Sequence, residues 1–315
     1  MGGGLVLNSA KTAIVITGPT GIGKTGLSIQ VAKHFNSPVI SADSRQIFKE
    51  IKIGTAAPTK AELSQVTHHM VGTKSINDYY SAYEYEQEAL KIAETLFNTN
   101  DIIILTGGSM MYIDAFCNGI DELPTIDPGL RKDLQDQYNN EGLENMRRQL
   151  KILDPGFYNQ VDLKNPKRVI HALEICLMTG KPYSSLRTNT KKDRDFNIIK
   201  IGLDMDRALL HQRINQRVDH MIASGLEKEA NQWHHKKHLN SLNTVGYREF
   251  FSYFDGEVTK EKAIELIKRN SRRYARKQLS WFRRDKEITW FSPDNLTEVI
   301  KFVENKLKQA GVRNY

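Results

Sequence analysis

Eight consecutive residues carry the clearest chemistry in this chain. Gly18, Pro19, Thr20, Gly21, Ile22, Gly23, Lys24 and Thr25 fit G-x-x-x-x-G-K-[ST] at every fixed position. The glycines let backbone N–H groups turn toward a polyanion, and a helix N-terminus behind them adds partial positive charge. Lys24 supplies a full charge, and the Thr25 hydroxyl is placed to ligate Mg2+. Such a loop binds a diphosphate or a triphosphate and leaves the rest of the molecule open. A hydrolytic NTPase would also need an apolar strand ending in Asp, but Ile102–Leu105 runs into Thr106-Gly107-Gly108-Ser109. The best-placed carboxylate is Asp43, after Val39-Ile40-Ser41. There it can serve as a general base or orient a substrate, or merely cap the helix that follows.

These residues need a frame. Thr12–Thr17, Val39–Ser41, Ile102–Leu105, Ile198–Leu203 and Ile288–Phe291 read as short, continuously apolar strands, and Gly26–Phe35 reads as a helix. Buried strands alternating with helices predict a parallel α/β sheet, a P-loop NTPase-like core. After about Asp121 the chain turns polar and helix-like until about Asp195. The expected organisation is a first core segment over 1–120, a helical insertion over 121–195, and a second core segment over 196–315. Helical spacing dominates from Arg207 to Phe282.

The charge is local. Of 45 Lys+Arg and 37 Asp+Glu, Lys268 to Lys286 holds nine cations and one acid, so 9 − 1 = +8, the whole net charge. That pattern argues for one polyanion contact rather than a general polycation. Arg269, Arg272, Arg273 and Arg276 share a helix face by spacing, and Trp281 and Phe282 interleave with the basic residues. This is a combination suited to stacking on bases and contacting phosphates. Ile264, Ile267, Tyr274 and Phe282 also follow the spacing of a core stripe. No apolar run is long enough to span a membrane. Met1–Ala10 does not read as a signal peptide, and Val6 stands where N-myristoylation wants Ser or Thr. Cys117 and Cys176 are far apart and form no metal motif, so the expected compartment is the cytoplasm. His68-His69 lacks a third ligand.

In their order, further segments resemble the bacterial tRNA dimethylallyltransferases, the tRNA isopentenyl transferase family. They are the phosphate loop, Ser41-Ala-Asp-Ser-Arg-Gln46, Ile53-Gly-Thr-Ala56, His68-His69 and Thr106-Gly-Gly-Ser-Met-Met-Tyr112. Asn165-Pro-Lys-Arg168, Ala172-Leu-Glu174, Leu210-His-Gln-Arg213 with Arg217, Val245-Gly-Tyr-Arg248 and Arg276-Lys-Gln278 with Trp281 follow. The resemblance spans about residues 12 to 291 and implies a reaction. The loop would hold dimethylallyl diphosphate with Mg2+, and the exocyclic amine of the adenosine 3′ to the anticodon would displace the diphosphate. Asp43 would take or orient the amine proton, Thr20 would sit beside the diphosphate, and Arg217 with Lys24 would neutralise the leaving group. The residues it implies for tRNA contact are Asp43, Ser44, Arg45, Gln46, Ser109, Arg131, Lys167, Arg168, Val169, Ile170, His171, Asn243, Thr244, Val245, Gly246, Tyr247, Arg248, Arg276, Lys277, Gln278, Leu279, Ser280, Trp281, Phe282 and Arg283. The implied partner is the anticodon stem-loop of tRNA, and the implied state a monomer. Ser109 stands where Thr is commoner, and Ala57 where the family often has Lys. A small-molecule kinase, a transferase acting on free adenine nucleotides and a non-enzymatic RNA binder are the alternatives. The basic segment favours an RNA substrate over the first two, and intact Lys24, Thr25 and Asp43 disfavour the third.

Overall fold

The computed structural model describes residues 11–188 and 190–312. Met1–Ala10, read above for leader and lipidation signals, lies outside the described residues. The chain forms two compact units. One comprises the residues up to Cys117 and those from Arg194 onward; the other is Asn118–Asp193.

The first unit is built on six parallel strands: β1 Thr12–Thr17, β2 Val39–Ser41, β3 His68–His69, β4 Ile102–Gly107, β5 Asn197–Leu203 and β6 Thr289–Phe291. Their order is β3-β2-β4-β1-β5-β6, with β1 in register between Ile102–Gly107 and Asn197–Gly202. β1 is buried along its whole length. Side chains alternate across a strand, so Ala13 and Val15 join one apolar core with Ile103 and Leu105. Ile14 and Ile16 join the other with Ile102, Ile104 and Ile201. Coverage on both faces is why the strand sequences are continuously apolar. The α/β parallel core expected from the sequence is therefore present. The edge strand β3 had no sequence signal, because two histidines are too short a run to show periodicity.

The helix after the phosphate loop is Lys24–His34, and the region from Arg207 holds the helices Arg207–Ala223, Leu226–Trp233, Tyr247–Phe254 and Lys260–Phe282. The loops after β1, β2 and β4 open at the carboxyl edge of the sheet, where ligands of parallel α/β folds bind. Gly107 makes their close approach possible. The Ala42 N–H donates to Thr106 O at 2.7 Å, and the Ser109 N–H donates to Ala42 O at 3.1 Å. A Cβ on Gly107 would lie 2.1 Å from that Ala42 oxygen.

The second unit is helical: Pro128–Leu153, Pro155–Tyr158, Pro166–Thr179 and Tyr183–Leu186. The first of these breaks at Gly142, whose φ of +78° leaves the helical region. Leu134, Met146, Leu150 and Leu173 form its own core. Buried Asp154 caps Phe157 N at 2.8 Å and accepts from Ser184 N and Oγ at 2.6 and 2.7 Å.

Two glycine substitutions separate packing from propensity. Gly107→Ala must push backbone against backbone, so a fall in thermal midpoint together with lost activity is expected. Gly26→Ala meets nothing within 4 Å in the first helix. It should stabilise the fold by roughly 0.5–1 kcal/mol, read by denaturant unfolding.

Candidate active site

The three loops enclose one cavity of about 560 Å3. The phosphate loop, Asp43–Gln46, Gly54–Thr55 and Thr106–Gly108 form part of its wall, with Arg213, Arg217, Asn243–Gly246 and Arg248 opposite. Thr20, Lys24, Thr25, Asp43 and Arg217, named from sequence, all line it. Ile22 does not. Its side chain is in the apolar core, so only its backbone serves the loop.

Lys24 is folded back onto the loop itself, donating to Gly18 O at 3.0 Å and Pro19 O at 2.8 Å. Burial, reinforced by Arg217, depresses its pKa from 10.5 to about 7, with Asp43 opposing. Arg217 is also held below its ordinary value by burial, again opposed by Asp43. Its Nη2 donates to Thr55 O at 3.1 Å. Lys24 and Arg217, together with Arg45, Arg213 and Arg248 on the same wall, thus face a single carboxylate, Asp43, an arrangement that a bound polyanion would relieve.

Asp43 serves two ends at once. Its Oδ1 accepts from Arg45 N at 2.9 Å and Gln46 N at 3.1 Å, which is the capping role. Its Oδ2 has no hydrogen-bond partner among the described residues and is left for chemistry in the cavity. The Thr25 hydroxyl likewise accepts and donates nothing among the described residues. A free hydroxyl oxygen beside a phosphate loop fits a hard cation such as Mg2+, whose other ligands would be phosphate oxygens.

The loop after Ile51 is braced by a partly buried network. The Glu229 carboxylate accepts from the N–H groups of Lys52, Ile53 and Gly54 at 3.0, 3.0 and 2.9 Å, and from the Tyr247 hydroxyl. Burial and the neighbouring Glu229 raise the pKa of Tyr247, so the phenol stays a donor. Gln46 Nε2 donates to Thr55 O and Ala56 O at 3.2 and 3.1 Å.

The residues that the resemblance assigns to tRNA divide into two groups. Several are engaged within the protein itself. Gln278 is 1% exposed; its Oε1 accepts from Thr20 N at 2.8 Å and its Nε2 donates to Gly108 O at 2.7 Å. Arg45 donates to Asn240 O and Ser241 O at 2.8 and 3.0 Å, and Ser109 Oγ accepts from Ser44 N at 2.7 Å. Tyr247, Phe282, Val169 and Ile170 are core side chains, and Leu279 packs against the core. Gly246 is buried, donating its N–H to Glu249 Oε2. Where these residues lie within helices, as Val169, Ile170, Gln278 and Phe282 do, the 3.6-residue period turns them to the inner face.

The others are open to solvent to differing degrees. Asn243, Arg248, Arg276, Lys277, Ser280 and Arg283 are exposed, and Thr244, Val245 and Trp281 are half-buried. Arg276 and Arg283 join Arg207, His211 and Arg272 around a second, smaller cavity of about 220 Å3. The expected arginine face is partly spent: Arg272 donates to Asn215 Oδ1, and the Arg269 Nε is buried. In the second unit, Lys167 and Arg168 are exposed at a helix N-terminus, where the helix dipole favours anions. Arg131 makes a two-point pair with buried Glu174 at 2.7 and 3.1 Å, and His171 shares that carboxylate at 3.2 Å. Burial alone would raise Glu174, but the bonds from His171 and Arg131 outweigh it and hold it below the ordinary value.

Two residues of the site were missed. Arg213 lies one helical turn before Arg217, and a Cβ on Gly23 (φ +105°) would meet its guanidinium at 3.2 Å. The i, i+4 spacing of the two arginines was the available signal. Glu229 had none, since its partners are backbone groups remote in sequence.

Residues 46–285 match the family model described as IPP transferase. The chain is 55% identical over 300 residues to tRNA dimethylallyltransferase 1 of Bacteroides fragilis, covering 95% of this chain and 100% of that one. It is 56% identical over 294 residues to tRNA dimethylallyltransferase 1 of Phocaeicola vulgatus, covering 93% and 98%. The crystal structure of tRNA isopentenylpyrophosphate transferase from Bacillus halodurans is similar, with a TM-score of 0.71 and 33% identity over 95% of this chain and 98% of that one.

Lys24 makes the site's cost measurable. Because its folded pKa lies below its unfolded one, its charge destabilises the free protein fully below about pH 7, and that cost fades toward pH 10.5. Lys24→Met should therefore melt above wild type without ligand, by a margin that is widest below pH 7 and closes as pH rises. The same variant should lose diphosphate binding. Thermal unfolding across pH and calorimetric titration with diphosphate check both.

Proposed function

The chain belongs to the IPP transferase family, and we propose that its phosphate-loop cavity prenylates tRNA with dimethylallyl diphosphate as donor and Asp43 as base. The exocyclic nitrogen of the adenosine next to the anticodon attacks the allylic carbon. The carbon–oxygen bond to the diphosphate breaks, diphosphate leaves with the bonding pair, and the amine proton passes to Asp43 Oδ2. The carrying observation is one cavity that holds both a phosphate loop and a carboxylate oxygen free of the turn it caps.

In this reading the phosphate-loop N–H groups, Lys24, Arg213 and Arg217 receive the diphosphate. Lys24 gives up the Gly18 and Pro19 carbonyls, is held in its charged form by the diphosphate and meets the charge that develops on the leaving oxygen. Thr20 sits beside the diphosphate. Mg2+, held by Thr25 together with phosphate oxygens, would supply further charge neutralisation when bound. The RNA lies against the exposed cations Arg248, Arg273, Arg276 and Lys277, while Lys167 and Arg168 offer phosphate contacts from the second unit. No helix among the described residues is long and apolar enough to cross a membrane. The reading carries with it a monomer acting in the cytoplasm.

The decisive assay combines the protein, Mg2+, labelled dimethylallyl diphosphate and unmodified tRNA. Label should enter tRNA and not AMP; label in AMP alone, or phosphate released from ATP without transfer, would overturn the proposal. Asp43→Asn keeps an acceptor for the turn but loses the basic oxygen. Turnover should fall by about 10²- to 10⁴-fold with tRNA affinity unchanged. Separately, Arg276→Ala with Lys277→Ala should flatten the salt dependence of tRNA binding by about 0.7 in log–log slope for each phosphate no longer neutralised.

A further inference from the structure

The helix Lys260–Phe282 turns Ile267, Ser271, Tyr274 and Gln278 toward the cavity, at the four- and three-residue spacing of a single helix face. Both ends of this stripe are fixed. Ile267 is buried in the apolar core, and Gln278 is bonded to the phosphate loop and to Gly108. Between them Tyr274 is 37% exposed. The sequence placed it on a core stripe, but it belongs to none of the three apolar clusters. Among the described residues its hydroxyl makes no hydrogen bond, and its ring meets no aromatic or cationic partner. It is also the only Phe, Tyr or Trp on the described cavity wall. Folding therefore leaves a rigidly mounted aromatic face open in an otherwise polar and aliphatic site.

Its setting indicates what covers it. Asp43 and Arg45 are both within electrostatic reach, and burial with Asp43 pushes the phenol up to about 12, so the ring stays neutral. The RNA cations Arg273, Arg276 and Lys277 lie on the same helix. A base that must meet Asp43 has to leave its stack, and proteins hold extruded bases on aromatic faces.

We propose that Tyr274 is the platform on which the target adenine lies once it leaves the anticodon stack, presenting its amine to Asp43. The proposal rests on the tRNA-prenylation reading and adds the residue that positions the base.

Replacing an aromatic platform typically weakens base binding by about 5- to 150-fold. Tyr274→Ala should lower kcat/KM for tRNA within that range, while diphosphate binding to the free enzyme is unchanged. Tyr274→Phe should match wild type. Tyr274→Leu keeps apolar volume without a π face and should behave like the alanine variant. An anticodon stem-loop carrying 2-aminopurine at the target position gives a direct reading. Its fluorescence should stay quenched on wild type and Tyr274→Phe, and brighten on Tyr274→Ala and Tyr274→Leu. Tyr274→Ala kinetics and fluorescence equal to wild type would overturn the platform while leaving the prenylation reading intact. Tyr274→Leu equal to wild type would replace stacking by simple apolar contact and also overturn it. A wild-type protein that transfers no label to tRNA would overturn the underlying reading instead.

Discussion

The amide of Gln278 is the contact on which the site depends. It joins the N–H of Thr20 to the carbonyl of Gly108, and so ties three segments together: the phosphate loop, the turn after β4 and the cationic helix. The amide is buried with both of these bonds at short distance, so removing it orphans two backbone groups at about 1–3 kcal/mol each. Gly108 is the complementary concession, because a Cβ there would lie 2.5 Å from Gln278 Nε2 and expel the amide.

Around this clasp the protein maintains an unfavourable charge arrangement. Lys24 and Arg217 line one cavity, both depressed by desolvation, with Asp43 its only carboxylate among the described residues. Lys24 is temporarily satisfied by two carbonyls of its own loop, which prevents it from reaching elsewhere and keeps the site from collapsing. Stability is thereby given up for function: the same desolvation that penalises the free lysine strengthens its attraction for a diphosphate. Glu229 performs the opposite task. Its carboxylate is fully used by three N–H groups and a phenol, so it holds the Gly54–Thr55 segment in place rather than meeting substrate.

The parallel core was legible because strands buried on both faces must be continuously apolar. The phosphate loop was legible because glycine, lysine and threonine at fixed spacing have few other uses. The close approach of Ala42 to Gly107 was not, since it is a relation between two backbones. The basic segment was legible as a segment, but which of its side chains stay exposed was not. Residues 276–283 continue a helix, so Arg276 and Lys277 face outward while Gln278 and Phe282 face inward. Tyr274 shows the reverse error: helical spacing assigned it to the core, yet it stands open in the cavity.

The basic segment that carries the entire net charge along the chain is less basic in space. Lys268 pairs with Asp219 at 2.5 Å and Arg283 with Asp204 at 2.5 Å, both acids lying outside the segment. Arg284 lies 5.5 Å from the ring of Trp281, so part of the charge is engaged in stacking. What remains free for a polyanion on the helix narrows to the outward face around Arg273, Arg276 and Lys277, with Lys286 exposed beyond its end. That face and the inward stripe ending in Gln278 belong to one continuous helix of 23 residues. In the proposed function a single rigid element therefore meets both anions, RNA on its outer face and diphosphate through the loop it clasps. The helix that bears on the RNA would then also fix the loop that holds the diphosphate, so the position at which amine and allylic carbon meet is set by one helix rather than by independent loops.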